Sequence, residues 1–397
     1  MNILDDPYPI YREMRSRMPV CWDEKRRIWV LTCYRDIIAA FKDVRFSSAA
    51  QETALRLQSL ASKNRNSIAE ISATLTNQVE LCDPPLHTRL RTLLRKAIAR
   101  LDLNEIQNLV QTVVDELLDV VLERGEADLV QDLASPLPRR VIHQVLGIEP
   151  SQREYFERHT SALLDLFGNS ECTSEDLEKC RESAIALSAM VGNVSKGGPR
   201  EARDGLIRHL VSITDKGDCL KMDEIVANVI LFFAAGHGTT ANLITNGVLA
   251  LLNNADQMER LQSRPWLIDN AIEEMLRFDS PIQSVGRATL CDIDMAGRTI
   301  PRGDTMMLIL GSANRDEQQF TDPHKFDICR HRNNHVAFGY GTHYCLGAAL
   351  ARLQARIAIG TLLRRTRKLE LAVDSLSWHA GPTFRGLKTL PIRCMPS

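Results

Sequence analysis

The stretch LFFAAGHGTTANLITNG, residues 231–247, sets the first constraint on what this chain can fold into. Its apolar residues read as one buried helix, yet Gly236, His237, Gly238, Thr239, Thr240 and Gly247 lie inside it. A glycine costs a helix interior about 1 kcal/mol relative to alanine, and a buried histidine needs a hydrogen-bonding partner or water. Packing alone does not call for such residues at the centre of a helix.

Helical periodicity dominates elsewhere. Ile106, Leu109, Val110, Val113, Val114, Leu117, Leu118 and Val121 recur at helical spacing up to Gly125, the pattern of an amphipathic helix with a glycine stop. Strand signals are few: residues 19–33 and 289–310 read as β-ribbons punctuated by Ala-Gly and Pro-Arg-Gly turns. Residues 45–81 and 166–204 look loosely built, as lids, binding loops and surface insertions do. No repeat, low-complexity tract or linker divides the chain, so a single domain over residues 1–397 is expected.

With 397 residues, 44% of them hydrophobic and 25% charged, the chain is long and apolar enough to bury a cofactor. A net charge of -1 offers no basic field for nucleic acid. The first twenty residues carry acids and prolines where an export signal would carry a basic start and an apolar run. No uninterrupted apolar run of about 18 residues reads as a membrane span, and a cytoplasmic protein is expected. The ten cysteines show neither CxxC pairs nor zinc-like spacing. In a reducing compartment most are small buried hydrophobes.

One cysteine stands apart. In HVAFGYGTHYCLGAALARLQARIAIGTLL, residues 335–363, a glycine-rich loop runs into a helix with Leu346, Leu350, Leu353 and Ile357 along its apolar face. Cys345 falls at the helix start, where free backbone N–H groups and the positive end of the dipole favour a thiolate. Gly339, Gly341 and Gly347 let the backbone approach something flat and large. Phe338, Gly339, Gly341, His343, Cys345 and Gly347 match, position by position, an FGxGxHxCxG loop, and in this the chain resembles the cytochrome P-450 superfamily, the haem-thiolate monooxygenases.

The resemblance implies haem b with Cys345 as the axial thiolate and metal ligand, a ligation that favours O–O cleavage. His343 then serves a haem propionate and Phe338 shields the sulfur. Further family motifs follow in order. Glu274 and Arg277 form the ExxR pair, one helical turn apart on one face, with Arg330 as third member of a buried Glu-Arg-Arg network. His87 and Arg91, in DPPLHTRLRTLLRKAIAR, and Arg287, in SVGRATLCD, correspond to propionate ligands. The resemblance runs from residue 6 to residue 392.

The implied fold is mainly α with a small β region, the P-450 triangular helical prism around haem. Residues 222 to about 253 become its long central helix, about 48 Å at 1.5 Å per residue. The helix should open at its glycines, where Thr239 handles dioxygen and water. Ala235, Gly236, His237, Thr239 and Thr240 fit the oxygen-activation pattern, but Gly238 stands where the family carries an acid that helps deliver protons. Gly238, Thr239 and Thr240 are therefore the candidate catalytic positions. Family-equivalent pocket segments point to Phe233, Ala234, Ile282, Gln283, Val285, Thr383 and Phe384, a mainly apolar lining with one amide to orient a polar group.

The implied activity is oxidation, most simply hydroxylation, of a small organic substrate by O2. Two electrons come from a separate ferredoxin or flavodoxin with its reductase, as in specialised-metabolite pathways. Arg89, Arg91, Arg95, Lys96, Arg100, Arg352 and Arg356 are expected to form a basic patch for that acidic partner. Two other readings share the motifs: a haem-thiolate enzyme that performs oxidative coupling or uses another oxidant, to which Gly238 points, and a non-catalytic haem sensor.

Overall fold

The helix demanded by the spacing at residues 106–121 forms as Leu103–Arg124, with Val110, Val114, Leu118 and Val121 buried. Gly125, at φ +71°, ends it, because a side chain strains that backbone conformation. This is a computed structural model, and it describes residues 5–49, 71, 76–168, 173–195 and 205–397. Among the described residues helices predominate and the strands are short, as expected.

The chain divides into two compact units. The first comprises Met1–Ser47, Gln107–Arg139 and His237–Ser397. Its five-stranded sheet runs in the order Val20–Asp23, Ile28–Leu31, Thr305–Ile309, Ser284–Thr289, Phe46–Ser47. Only the pairing of Ile28–Leu31 with Thr305–Ile309 is parallel, in the register Trp29 to Met306. The predicted ribbons lie here, one of them closing as the hairpin Ile293–Met295/Arg298–Ile300 through Ala296 and Gly297, both at positive φ. Leu31, Ile37, Ile293, Ile300, Met306, Leu308 and Val336 form a core cluster beside this sheet. Val336 stands just ahead of the cysteine loop, so the apolar core anchors that loop at its root.

The second unit comprises Ser48–Ile106 and Arg140–Gly236. It holds the helices Leu86–Ile98, Arg153–Gly168, Ser174–Ser195 and Leu206–Ser212 and a small hairpin, Thr214–Asp215/Asp218–Cys219. The loosely built reading of residues 166–204 is corrected here, since Ser174–Ser195 is a helix of 22 residues. Its polar outer face hid the helical period: Leu177, Cys180, Ala184, Leu187 and Val191 are buried at the required spacing. Residues 50–70, 72–75, 169–172 and 196–204 of the two loosely built segments lie outside the described residues.

The central helix is Met222–Leu252, 31 residues long. It runs unbroken as α-helix across residues 235–239, so the expected opening is not an interruption of the helix. Its glycines have separate physical reasons. A Cβ on Gly236 would meet the Ile142 side chain at 3.2 Å, and one on Gly247 would meet Met275 Sδ at 2.6 Å. At Gly238 a Cβ would meet nothing within 4 Å among the described residues. The helix is long and apolar enough to cross a membrane by length and composition, and 61% of its most apolar window is buried inside the protein.

Two further glycines give a test of packing. A Cβ on Gly205 would lie 2.4 Å from the Gly147 backbone, which cannot swing aside, whereas one on Gly192, within the helix Ser174–Ser195, would meet nothing within 4 Å among the described residues. Gly205→Ala should destabilise the protein by about 1–3 kcal/mol, and Gly192→Ala should stabilise it by about 0.5–1 kcal/mol. Thermal unfolding of the two variants beside the parent checks both signs.

Candidate haem-binding site

The geometry begins with a carboxylate taken wholly out of water. Glu274 and Arg277 sit in the helix Ile268–Phe278, and their side chains are 0% exposed. Arg277 donates from Nε and Nη2 to the two Glu274 oxygens, both at 2.7 Å. Arg330 Nε donates to the same carboxylate at 3.0 and 3.1 Å, joined by the Asp327 backbone N–H at 3.0 Å and Asn333 Nδ2 at 3.1 Å. The rest of the two guanidinium groups turns to carbonyls: Arg277 to Asn314, Pro323 and Lys325, Arg330 to Thr321, Asp322 and Lys325. The three motif residues therefore meet, and they staple one helix to the chain that leads into the cysteine loop. Asn314 completes the link, since its Oδ1 accepts the Val336 N–H at 2.7 Å.

Beyond Val336 the chain makes the loop itself. Gly339 and Gly341 adopt φ +71° and +72°, and the Cys345 N–H donates to the Phe338 carbonyl at 3.0 Å, closing the turn. A Cβ on Gly341 would stand 3.2 Å from the Phe41 carbonyl, so this glycine also permits close approach. Gly347 precedes the helix Ala348–Arg365, and a Cβ there would be 3.9 Å from Cys345 Sγ. Cys345 is exposed, unusual for so apolar a side chain. His343 ends a short 3-10 turn, Gly341–His343. The guanidinium of Arg287 lies over the Phe41 ring at 5.3 Å, which brings Arg287 to the same loop.

Sequence reasoning missed a second ion cluster beside the loop. Glu273 takes a two-pronged grip from Arg352, Nε at 2.6 Å and Nη2 at 2.8 Å, and accepts from His335 Nε2 at 3.1 Å. Arg352 also lies over the Phe338 ring, 4.5 Å from its centroid. The expected docking role of Arg352 is thereby corrected: its charge is turned inward to Glu273. Burial alone would raise the Glu273 carboxyl, but hydrogen bonds from Arg352 and His335, with the charges behind them, hold it down at about 2.

On the central helix Ala235 and Gly238 are exposed and Ala234 and Thr239 half-buried, a stripe at helical spacing along an otherwise buried element. Thr240 is buried. Phe233 is not on that stripe. It is 5% exposed and packs against His143 and Phe156, with centroids at 5.2 and 5.1 Å, because an aromatic cluster buries more of its surface than a pocket wall would.

The segments around Ile282 and Phe384 do meet, through an isolated bridge between these two residues and a 2.7 Å bond from the Gln283 N–H to the Thr383 carbonyl. Ile282 and Val285 are partly buried, and Phe384 is 55% exposed. The Gln283 amide points elsewhere: it is 3% exposed, and Nε2 donates to the Ser280 carbonyl and the Tyr8 hydroxyl. Its substrate-orienting role is therefore not retained.

His87 and Arg91 share a face of Leu86–Ile98. His87 is buried, and desolvation, then the Arg91 charge, lowers its imidazole below the ordinary value. A neutral imidazole still offers one N–H donor. The neighbouring Arg89 is not a docking residue, because it donates to both oxygens of Asp218, to the Cys219 carbonyl and to Glu224. Lys96 pairs with Asp215 at 2.6 Å and Arg356 with Asp269 at 3.5 Å. Arg95 is exposed and has no ion pair among the described residues.

These residues fit a haem. The thiol is presented outward by a glycine-turned loop at a helix start, and Arg287 supplies a cation beside that loop for a carboxylate.

A family model described as Cytochrome P450 matches residues 192–372. The chain is 36% identical to cytochrome P450 monooxygenase PikC of Streptomyces venezuelae, over 98% of this chain and 91% of that protein. It is 32% identical to the polyketide biosynthesis cytochrome P450 PksS of Bacillus subtilis, over 98% of this chain and 95% of that protein. Among solved structures, P450BioI in complex with hexadec-9Z-enoic acid ligated acyl carrier protein superposes with a TM-score of 0.86 at 33% identity, covering 99% of both chains.

Two outcomes test the ion clusters. Glu274→Gln strands two buried guanidinium groups at a cost of about 3–5 kcal/mol, and should leave the purified protein largely without haem. A carboxyl lowered on folding contributes stability above its unfolded value of about 4.3, which is lost as the pH falls toward 2. Glu273→Gln removes at most about 3 kcal/mol of such stability, so its thermal midpoint should fall less steeply than the parent's between about pH 5 and 2.

Proposed function

Because this chain belongs to the cytochrome P450 family, we propose that Cys345 is the axial thiolate of a haem b and that the site oxidises, most simply hydroxylates, a small organic substrate. The chain is a P450 monooxygenase and has the P450 fold, and membership implies a haem-thiolate. The observation that carries the assignment is the exposed Cys345 in a glycine-turned loop rooted in the Glu274–Arg277–Arg330 cluster.

When bound, haem supplies the redox-active iron at which dioxygen is split, with one oxygen atom passing to the substrate. The protein holds and surrounds it. Cys345 provides the thiolate, favoured by the start of the helix Ala348–Arg365. Phe338 shields the sulfur, and His87, Arg91, Arg287 and His343 serve the propionates. Ile282, Val285, Thr383 and Phe384, with Ala234, line the substrate side, so the substrate is largely apolar.

On the central helix Thr239 Oγ1 holds water and passes protons toward the oxygen being reduced, with Thr240 behind it. Gly238 supplies no proton. A substrate polar group or ordered water therefore completes the relay. Electrons come from a ferredoxin or flavodoxin with its reductase, as in bacterial members of the family, and Arg95 is the docking cation that the fold leaves uncommitted. The bacterial relatives, one of them named for polyketide biosynthesis, support a cytoplasmic enzyme of specialised metabolism.

Cys345→Ser should abolish the red-shifted Soret band of the reduced CO complex together with O2-dependent turnover; retention of both would refute the ligand assignment. Gly238→Asp should lower peroxide formed per NADPH consumed, and Thr239→Ala should raise it. A Thr239→Ala variant with unchanged coupling and product would move the reading to oxidative coupling or another oxidant. Arg95→Glu should slow electron transfer and flatten its dependence on salt.

A further inference from the structure

The cysteine loop has two arms, one ending in Phe338 and the other in Tyr344, joined by the bond from the Cys345 N–H to the Phe338 carbonyl. Arg352, in the second turn of the helix that follows, touches both. Its guanidinium carbon lies 4.5 Å from the Phe338 ring centroid, and Nη1 donates to the Tyr344 hydroxyl at 3.2 Å. The other two nitrogens are taken by Glu273, which stands beside Glu274 on the helix Ile268–Phe278. His335 closes the cluster: Nδ1 accepts the Ala337 N–H at 3.2 Å, so Nε2 carries the proton donated to Glu273.

We propose that Arg352, fixed by Glu273, is a positioning residue that holds the Phe338 ring against the cysteine loop and sets the charge felt by the Cys345 sulfur. This rests on Cys345 being the haem ligand. A planar fork gripped at two points cannot rotate away from the ring it covers, which a lysine in its place could do. Its charge matters because reduction of a thiolate-ligated iron adds negative charge to the site. A nearby cation favours the reduced form, and Glu273 partly cancels that cation. Removing the cation and removing its counter-ion must therefore move the reduction potential in opposite directions, a result that loosened packing alone does not produce.

The test is the midpoint potential of the purified, substrate-free holoprotein, read by spectroelectrochemistry together with the Soret band of its reduced CO complex. Arg352→Gln should lower the one-electron reduction equilibrium about tenfold, a shift of about 59 mV. Glu273→Gln should raise it, and the double variant should return close to the parent. In a Phe338→Leu background the Arg352→Gln shift should fall below half, since part of it acts through the ring. If Arg352→Gln does not retain haem, Arg352→Lys takes its place, with a smaller downward shift expected. Shifts of one sign from both single variants, no shift, or an undiminished shift without Phe338 would overturn the proposal while the thiolate band of the parent stands. Loss of that band from the parent itself would overturn both this proposal and the haem-thiolate reading.

Discussion

The burial of one carboxylate, Glu274, organises the part of the molecule that carries the chemistry. A charged group with no access to water is tolerated only when its lone pairs are all engaged, and here Arg277, Arg330, Asn333 and the Asp327 N–H engage them. The arginines spread the consequence, since their remaining N–H groups fix the carbonyls of residues 314–325. Such a cluster contributes little net stability compared with an apolar core of the same volume. It restricts the chain to one path into the cysteine loop.

That loop depends on backbone freedom as much as on charge. Two glycines at positive φ, one of them pressed against the Phe41 carbonyl, turn the chain so that a cysteine faces outward at a helix start. Cys345 is exposed, whereas Val336, Ala337 and Ala348, close to it along the chain, are buried. On the central helix Ala235, Gly238 and Thr239 put small residues in place of bulky ones on one face.

Arginines among the described residues are put to different uses. Arg277 and Arg330 are internal braces, Arg89 ties a hairpin to the start of the central helix, and Arg352 grips the cysteine loop from Glu273. What remains for the proposed acidic redox partner is a narrower set than the density of basic residues implies, because a guanidinium already held by a carboxylate offers little net charge to an approaching surface.

Local order in the sequence determined the long helices, the two ribbons, the cysteine loop and the ExxR pair, because each depends on periodicity, turn residues or a spacing within a few positions. The helix Ser174–Ser195 escaped because its apolar face is narrow within a polar segment. Partnerships between distant residues were decided only by the tertiary structure. Phe233 turned to His143 and Phe156, the Gln283 amide turned to Tyr8 and Ser280, and Arg352 found Glu273 across 79 positions of chain. A side chain's spacing along its own element states which face it occupies, whereas the charge, ring or carbonyl opposite that face comes from another element and is set by packing.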